Sequence, residues 1–323
     1  MAFATAFVLA AAGCSSGGGA EAEPGATTTG SETRTVKGTN GDVEVPTDPK
    51  KIVALWRPTM SALVQLGHRP VGAIGDPGTA DHGWAPYLPD GDDPSTIQLI
   101  SASSSPEDVN LEQLQKLDPD LIIGTATSNE EQQALLPKLS QIAPTVLVEW
   151  TGTGSWRNHL TDVAEVVGAE DTAQEIVADY DKRVNDVKTA VGDPGAIEVS
   201  VIRVQRDDEL RFETVASFPG QILGDVGFKR PANQQQPAGD KDFLSVSPER
   251  LLDADAPVVF VLPNADNGQT AQKNAALNNP LWKNLQAVKA NKAFTVDYAY
   301  WGASNYYGAY RILDDVKKSL AAS

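Results

Sequence analysis

From about residue 35 onward, apolar positions follow two rhythms. Short apolar runs at 51–55, 71–74, 120–123, 145–148, 199–204, 211–214, 258–262 and 293–296 read as buried strands. Between them, apolar residues recur every third or fourth position at 59–66, 111–117, 130–141, 156–167, 220–226, 248–252 and 306–320, which predicts helices. Strands alternating with helices imply largely parallel sheets covered on both faces. A hairpin is expected over 35–45, with Asn40-Gly41 forming a type I′ turn. Residues 75–94, rich in Gly, Pro and Asp, read as a loop.

The stretch 169–191 stands apart. It contains neither Pro nor Gly, and Ala173, Ile176, Val177, Tyr180, Val184 and Val187 fall at helical spacing before Gly192-Asp193-Pro194-Gly195 closes it. At 1.5 Å per residue such a helix is about 30 Å long, comparable with the diameter of a small domain. Each half of the chain holds material for its own sheet, so the expected fold is α/β, with two Rossmann-like lobes joined by this helix and a ligand cleft between them. The lobes are assigned to 35–168 and 192–323.

Composition narrows the partners. Lys and Arg number 26 against 43 Asp and Glu, a net charge of -17, and such a surface repels nucleic-acid phosphates. The single cysteine, Cys14, excludes an internal disulfide framework and a thiolate metal cage. It ends an apolar run over 2–12 that is too short to span a bilayer but has the length of a signal-peptide core. The sequence Gly13-Cys14-Ser15-Ser16 resembles a bacterial lipobox, which implies diacylation of the Cys14 sulfur after cleavage. Residues 1–14 are therefore read as signal peptide and lipobox, and the Gly/Ser/Thr-rich 15–34 as a flexible tether holding the protein on the extracytoplasmic face of the cell membrane.

Catalytic signatures are missing. His68, His82 and His159 show no metal-pair spacing, and no GxGxxG, Walker or GxSxG arrangement accompanies the strands. Binding is the simpler reading. Trp56 and Arg57 directly follow a strand, and Trp84 and Tyr87 sit in the polar loop. Arg203 ends a strand with Arg206 and Arg211 nearby, and Phe218 lies in a short SFPG segment. Tyr298, Tyr300, Trp301, Tyr306 and Tyr307 crowd one window before the last helix, too many for a Gly302- and Asn305-containing loop to bury.

Eight segments, in order, carry a family resemblance: VPTDPKKIVAL at 45–55, ALVQLGHRPVG at 62–72, NLEQLQKLDPDLII at 110–123, LSQIAPTV at 139–146, SFPGQIL at 217–223, SPERL at 247–251, NPLWKNL at 279–285 and ILDD at 312–315. Together they resemble the iron-siderophore-binding proteins of ABC importers that have a single rigid helix between lobes. The resemblance implies a ferric siderophore in the inter-lobe crevice, gripped by aromatic faces and cationic donors at Trp56, Arg57, Trp84, Tyr87, Arg203, Phe218, Tyr300 and Trp301. It implies no cofactor and no direct metal ligand, iron arriving only as a ferric chelate. It also implies a monomer whose Glu112 and Glu249, one at the start of a helix in each lobe, dock on an ABC permease dimer. Haem, with Tyr300 as an axial ligand, or cobalamin stands as alternative cargo, and a non-transport adaptor or an extracytoplasmic enzyme as alternative function.

Overall fold

The computed structural model describes residues 32–75, 83–101, 108–128, 130–205, 209–237, 239, 241–263 and 278–321. The expected leader and lipobox with Cys14, the tether up to residue 31, and His82 and Arg206 lie outside the described residues. The chain opens with a hairpin of β1 (Thr33–Gly38) and β2 (Gly41–Pro46). Gly41 takes φ +97°, but Asn40 stays out of the left-handed region, so the turn is not the expected type I′. The Asn40 side chain is used elsewhere. Its Nδ2 donates to the Thr145 carbonyl at 3.0 Å and its Oδ1 accepts from the Leu147 N–H at 2.9 Å. The hairpin thereby covers the open edge of β7 (Thr145–Glu149), a strand that would otherwise leave backbone groups unpaired.

The first sheet comprises β3 (Ile52–Ala54), β4 (Gly72–Ile74), β5 (Gln98–Ser101), β6 (Leu121–Ala126) and β7, in the order β5-β4-β3-β6-β7, with every pair parallel. Ile52, Ala54, Leu121 and Ile123 face one apolar cluster and Val53, Leu55 and Ile122 another, which is why these runs are apolar without alternation. Helices α1 (Arg57–Gln65), α2 (Leu111–Lys116), α3 (Glu131–Leu139) and α4 (Trp156–Val167) cover it. The long helix α5 (Glu170–Val191) follows, and packs on α4 and on two helices of the second half.

The second sheet runs β10-β9-β8-β11-β12, from β8 (Val199–Val204), β9 (Leu210–Glu213), β10 (Phe243–Val246), β11 (Val258–Leu262) and β12 (Ala293–Thr295). Strands β8, β11 and β12 are parallel, whereas β9 and β10 pair antiparallel as a meander. Its helices are α6 (Phe218–Val226), α7 (Gln286–Lys289), α8 (Tyr298–Trp301) and α9 (Tyr306–Leu320). The helix expected over 248–252 is a 3-10 helix, Pro248–Ala254.

More than one helix joins the two halves. Trp156 of α4, Tyr180 of α5, Phe218 of α6 and Tyr306 of α9 form a buried knot of edge-on rings. Centroids lie 4.7 Å apart for Trp156–Tyr306, 5.3 Å for Trp156–Phe218, 5.4 Å for Trp156–Tyr180 and 5.7 Å for Tyr180–Tyr306, the geometry that ring quadrupoles favour. A polar belt surrounds it. The Trp156 indole N–H donates to Gln221 Oε1 at 3.1 Å, Arg157 pairs with Asp225, and Gln221 Nε2 donates back to the Gly154 carbonyl at 3.1 Å. Gly154 permits this docking, because a Cβ there would stand 2.5 Å from the Ala216 carbonyl oxygen of the other half. Replacing Trp156 by Ala should cost about 3–5 kcal/mol of unfolding free energy, measured from the denaturant midpoint at unchanged slope. A loss below about 1 kcal/mol would show that the knot is not what joins the halves.

Candidate binding cleft

The strand ends of the two sheets carry cationic and aromatic side chains toward one another. On the first lobe, Trp56 sits at the extended residue that begins α1, directly after β3, and Arg57 is the first helical residue. The Arg57 guanidinium lies 5.1 Å from the Tyr87 ring centroid. Trp150 follows β7 as Trp56 follows β3, and the two indoles meet edge-on at 5.9 Å. Trp150 rests in turn on His159 at 5.1 Å, whose Nε2 is 2.8 Å from Thr59 Oγ1. Burial pushes the His159 imidazole down to about 4, so this support stays neutral at physiological pH. The Trp56 indole N–H is buried without a hydrogen-bond partner among the described residues.

On the second lobe, Arg203 near the end of β8 donates to the Tyr298 hydroxyl and lies 4.2 Å from that ring's centroid. Arg211 of β9 stands opposite Arg203 in the strand register, and its guanidinium lies 4.0 Å from the Phe243 ring. Burial raises the Tyr298 phenol, while the charges of Arg203 and, from the facing lobe, Arg57 pull it down. Guanidinium groups from both lobes therefore act on one ring. A cavity of about 580 Å³ opens between Glu149, Thr151, Asn158 and Asp162 of one lobe and Gln221, Lys241, Asp242 and Phe243 of the other, and of the cationic and aromatic groups above it is Phe243 that lines it.

Several residues expected in the cleft are placed elsewhere. Trp84 is 1% exposed, and its indole N–H donates to the Ile74 carbonyl at 2.9 Å, so it plugs its own loop. Phe218 is fully buried in the aromatic knot. Trp301 is also fully buried, stacked on Phe260 at 4.9 Å with its N–H donating to Asp315 Oδ2 at 2.9 Å. The cause is local. The window is not a loop but the short helix α8, capped by Asp297, which turns Trp301 into the core and leaves Tyr298 and Tyr300 partly open. Tyr300 is half-buried under Arg311 at 4.8 Å, with Asp90 of the first lobe close enough to raise its phenol. Tyr306 belongs to the knot, and burial raises Tyr307 to about 12. Tyr87, only 5% exposed, lies beneath Arg57.

Trp150 and Phe243 were not anticipated from the sequence. The rule that singled out Trp56, an aromatic immediately after a buried strand, applies equally to Trp150. Phe243 starts a strand whose four residues bury only Val246 fully, so its apolar run gave no signal. Glu112 is exposed at the first turn of α2 and pairs with Lys116 at 2.7 Å. Glu249 is exposed on the 3-10 helix of the other lobe, its carboxyl held below the ordinary value by the Ser247 hydroxyl.

Asp162 supplies a pH test of the cavity wall. Burial, with Glu165 and Glu149 adding like charge, raises its carboxyl to about 6 from an ordinary value of 3.8. The folded state then holds this proton more tightly than the unfolded state. Its contribution to stability is present at low pH and is lost as pH rises from about 4 to about 6. Asp162→Asn is expected to raise the melting temperature at pH 7 and leave it unchanged near pH 4; an equal shift at both would contradict the assignment.

A model of the periplasmic binding protein family matches residues 62–300. The probable siderophore-binding lipoprotein YfiY of Bacillus subtilis (strain 168) is 36% identical, covering 96% of this chain and 95% of that protein. The Fe(3+)-citrate-binding protein YfmC of the same strain is 29% identical over 84% of this chain and 80% of its own length. Among solved structures, Staphylococcus aureus SirA complexed with staphyloferrin B superposes with a TM-score of 0.73 at 26% identity, covering 89% of this chain and 98% of that one.

Proposed function

The chain belongs to the periplasmic binding protein family, whose members bind rather than catalyse, and from that premise we propose that it captures a ferric siderophore and delivers it to an ABC permease. The observation that carries the reading is the convergence of Arg57 with Arg203 and Arg211 around Tyr87, Tyr298 and Phe243, from both sides of the cleft. A ferric chelate presents oxygens around an iron that the chelator already saturates. It calls for guanidinium donors and π-faces, not for imidazole or thiolate ligands. A cavity of about 580 Å³, within the size range of small-molecule sites, reaches these groups at Phe243. The ligands that two of the relatives are named for or complexed with, ferric citrate and staphyloferrin B, are oxygen-rich chelates of this kind.

Trp56 and Trp150 form an aromatic ledge, and the three arginines take the chelate's oxygens. Closure is small, because the aromatic knot ties the lobes together. Glu112 and Glu249, exposed one on each lobe, meet basic residues of the two permease subunits, and diacylated Cys14 with its tether keeps the monomer at the membrane. The haem alternative is weaker. An axial tyrosinate needs a phenol that ionises readily, whereas burial and Asp90 hold Tyr300 above its ordinary value.

Titration with ferric siderophores, haem and cobalamin, followed by tryptophan quenching, is expected to give saturation by a ferric siderophore. Arg203→Ala should weaken that binding by about tenfold to a hundredfold, the loss of a charge-assisted hydrogen bond. Saturation by haem or cobalamin alone, or by no ligand, would defeat the reading. Cys14→Ser is expected to abolish membrane association in fractionated cells, and unchanged partitioning would rule out the anchor.

A further inference from the structure

Among the side chains of the second lobe, Glu213 is a buried carboxylate that the binding reading has not used. The pairing of β8 with β9 sets Arg203 directly opposite Arg211, an arrangement in which like charges destabilise a sheet. Side chains alternate along a strand, so Glu213, two residues beyond Arg211, projects from the same face. Phe243, its register partner on β10, completes that face with its ring under Arg211.

We propose that Glu213 is a positioning residue of the cleft, the counter-charge behind the Arg203 and Arg211 guanidinium groups in the empty protein, and that it takes up a proton from solvent when an anionic chelate seats on them. The inference rests on the reading of the cleft as a chelate site. Glu213 sits in a mixed field. Arg203 of β8 and Arg211 of its own strand favour its charge, as does the Ser217 hydroxyl at the start of α6. Asp242 ahead of β10 opposes it, and the Tyr298 phenol of α8 is coupled to it. Buried Arg230, whose Nη2 donates to the Glu213 carbonyl at 2.7 Å, acts from the other side. Burial outweighs these attractions and raises the carboxyl to about 7.

The chelate's negative charge, arriving on Arg203 and Arg211, takes over the role of counter-anion and disfavours the ionised carboxylate further. The sign follows from linkage. Affinity for an anionic chelate rises as pH falls toward about 7 and is level below it, and proton uptake is greatest just above that value. Glu213→Gln keeps the shape of the neutral form. It is expected to flatten the pH profile and to bind more tightly than wild type at alkaline pH, by about tenfold for each unit of displaced pKa.

Calorimetric titration with ferric staphyloferrin B as the anionic probe, at about pH 8 in two buffers of different ionisation heat, reads the proton directly. Wild type is expected to take up a measurable fraction of a proton and Glu213→Gln none; equal uptake by both overturns the inference. A second measurement needs no chelate. Carbon-13 carboxyl resonances of the ligand-free protein should include one midpoint near 7 that is missing in Glu213→Gln and displaced upward in Arg203→Gln. If no siderophore binds while this coupled titration is present, the siderophore reading fails and the Glu213–Arg203 coupling stands. A Glu213 midpoint in the ordinary carboxylate range, or one indifferent to Arg203, overturns the coupling itself.

Discussion

Four aromatic rings, one from each of α4, α5, α6 and α9, meet edge-on where the two sheets come together, and the geometry of the cleft depends on that contact. Two α/β lobes joined only by a helix could rock about its ends. Here the rings turn the junction into continuous core, and the apolar cluster runs unbroken from Ile52 of the first lobe to Phe260 of the second. Around the knot, Arg157, Gln221 and Asp225 satisfy one another, and Asn305 Nδ2 donates to the Pro86 carbonyl across the lobes at 3.1 Å. A site assembled from both lobes is thus organised before any ligand arrives, which lowers the ordering cost of binding.

Electrostatics then decides what such a cleft accepts. The chain is acidic overall, at -17, yet its strand ends gather Arg57, Arg203 and Arg211. A local field opposite to that of the whole molecule is what a cleft with low-dielectric walls can sustain. Each arginine also has an aromatic surface beneath it, Tyr87, Tyr298 or Phe243, which supports the guanidinium planes. Oxygens of a saturated chelate fit such a site far better than a bare cation does.

Much of the architecture was legible from periodicity. Helix α4 begins and ends where its apolar spacing does, and α5 lacks only the expected first residue, because long helices repeat their signal many times. Strands β5 and β10 were not legible, since each buries one residue fully and lies at a sheet edge where little apolar character is required. The site was half legible. Position after a strand singled out Trp56, Arg57 and Arg203, and the structure keeps all three at the ends of β3 and β8, because chain direction alone places such residues at the crevice. Aromatic crowding misled for Trp301, and the SFPG segment for Phe218, because a helical turn decides which ring faces inward and composition does not record it. Glu213 could not be singled out before the β8–β9 register placed it among the arginines.

The central claim is that the knot holds the two lobes in one arrangement, with or without cargo. Pulsed electron resonance between spin labels at Gln98 and Ser245, exposed positions on the two lobes, in a Cys14→Ser background, measures it directly. One narrow distance distribution that scarcely moves on adding a saturating ferric siderophore is the predicted result. A broad or two-peaked distribution that collapses to one peak on binding would contradict it.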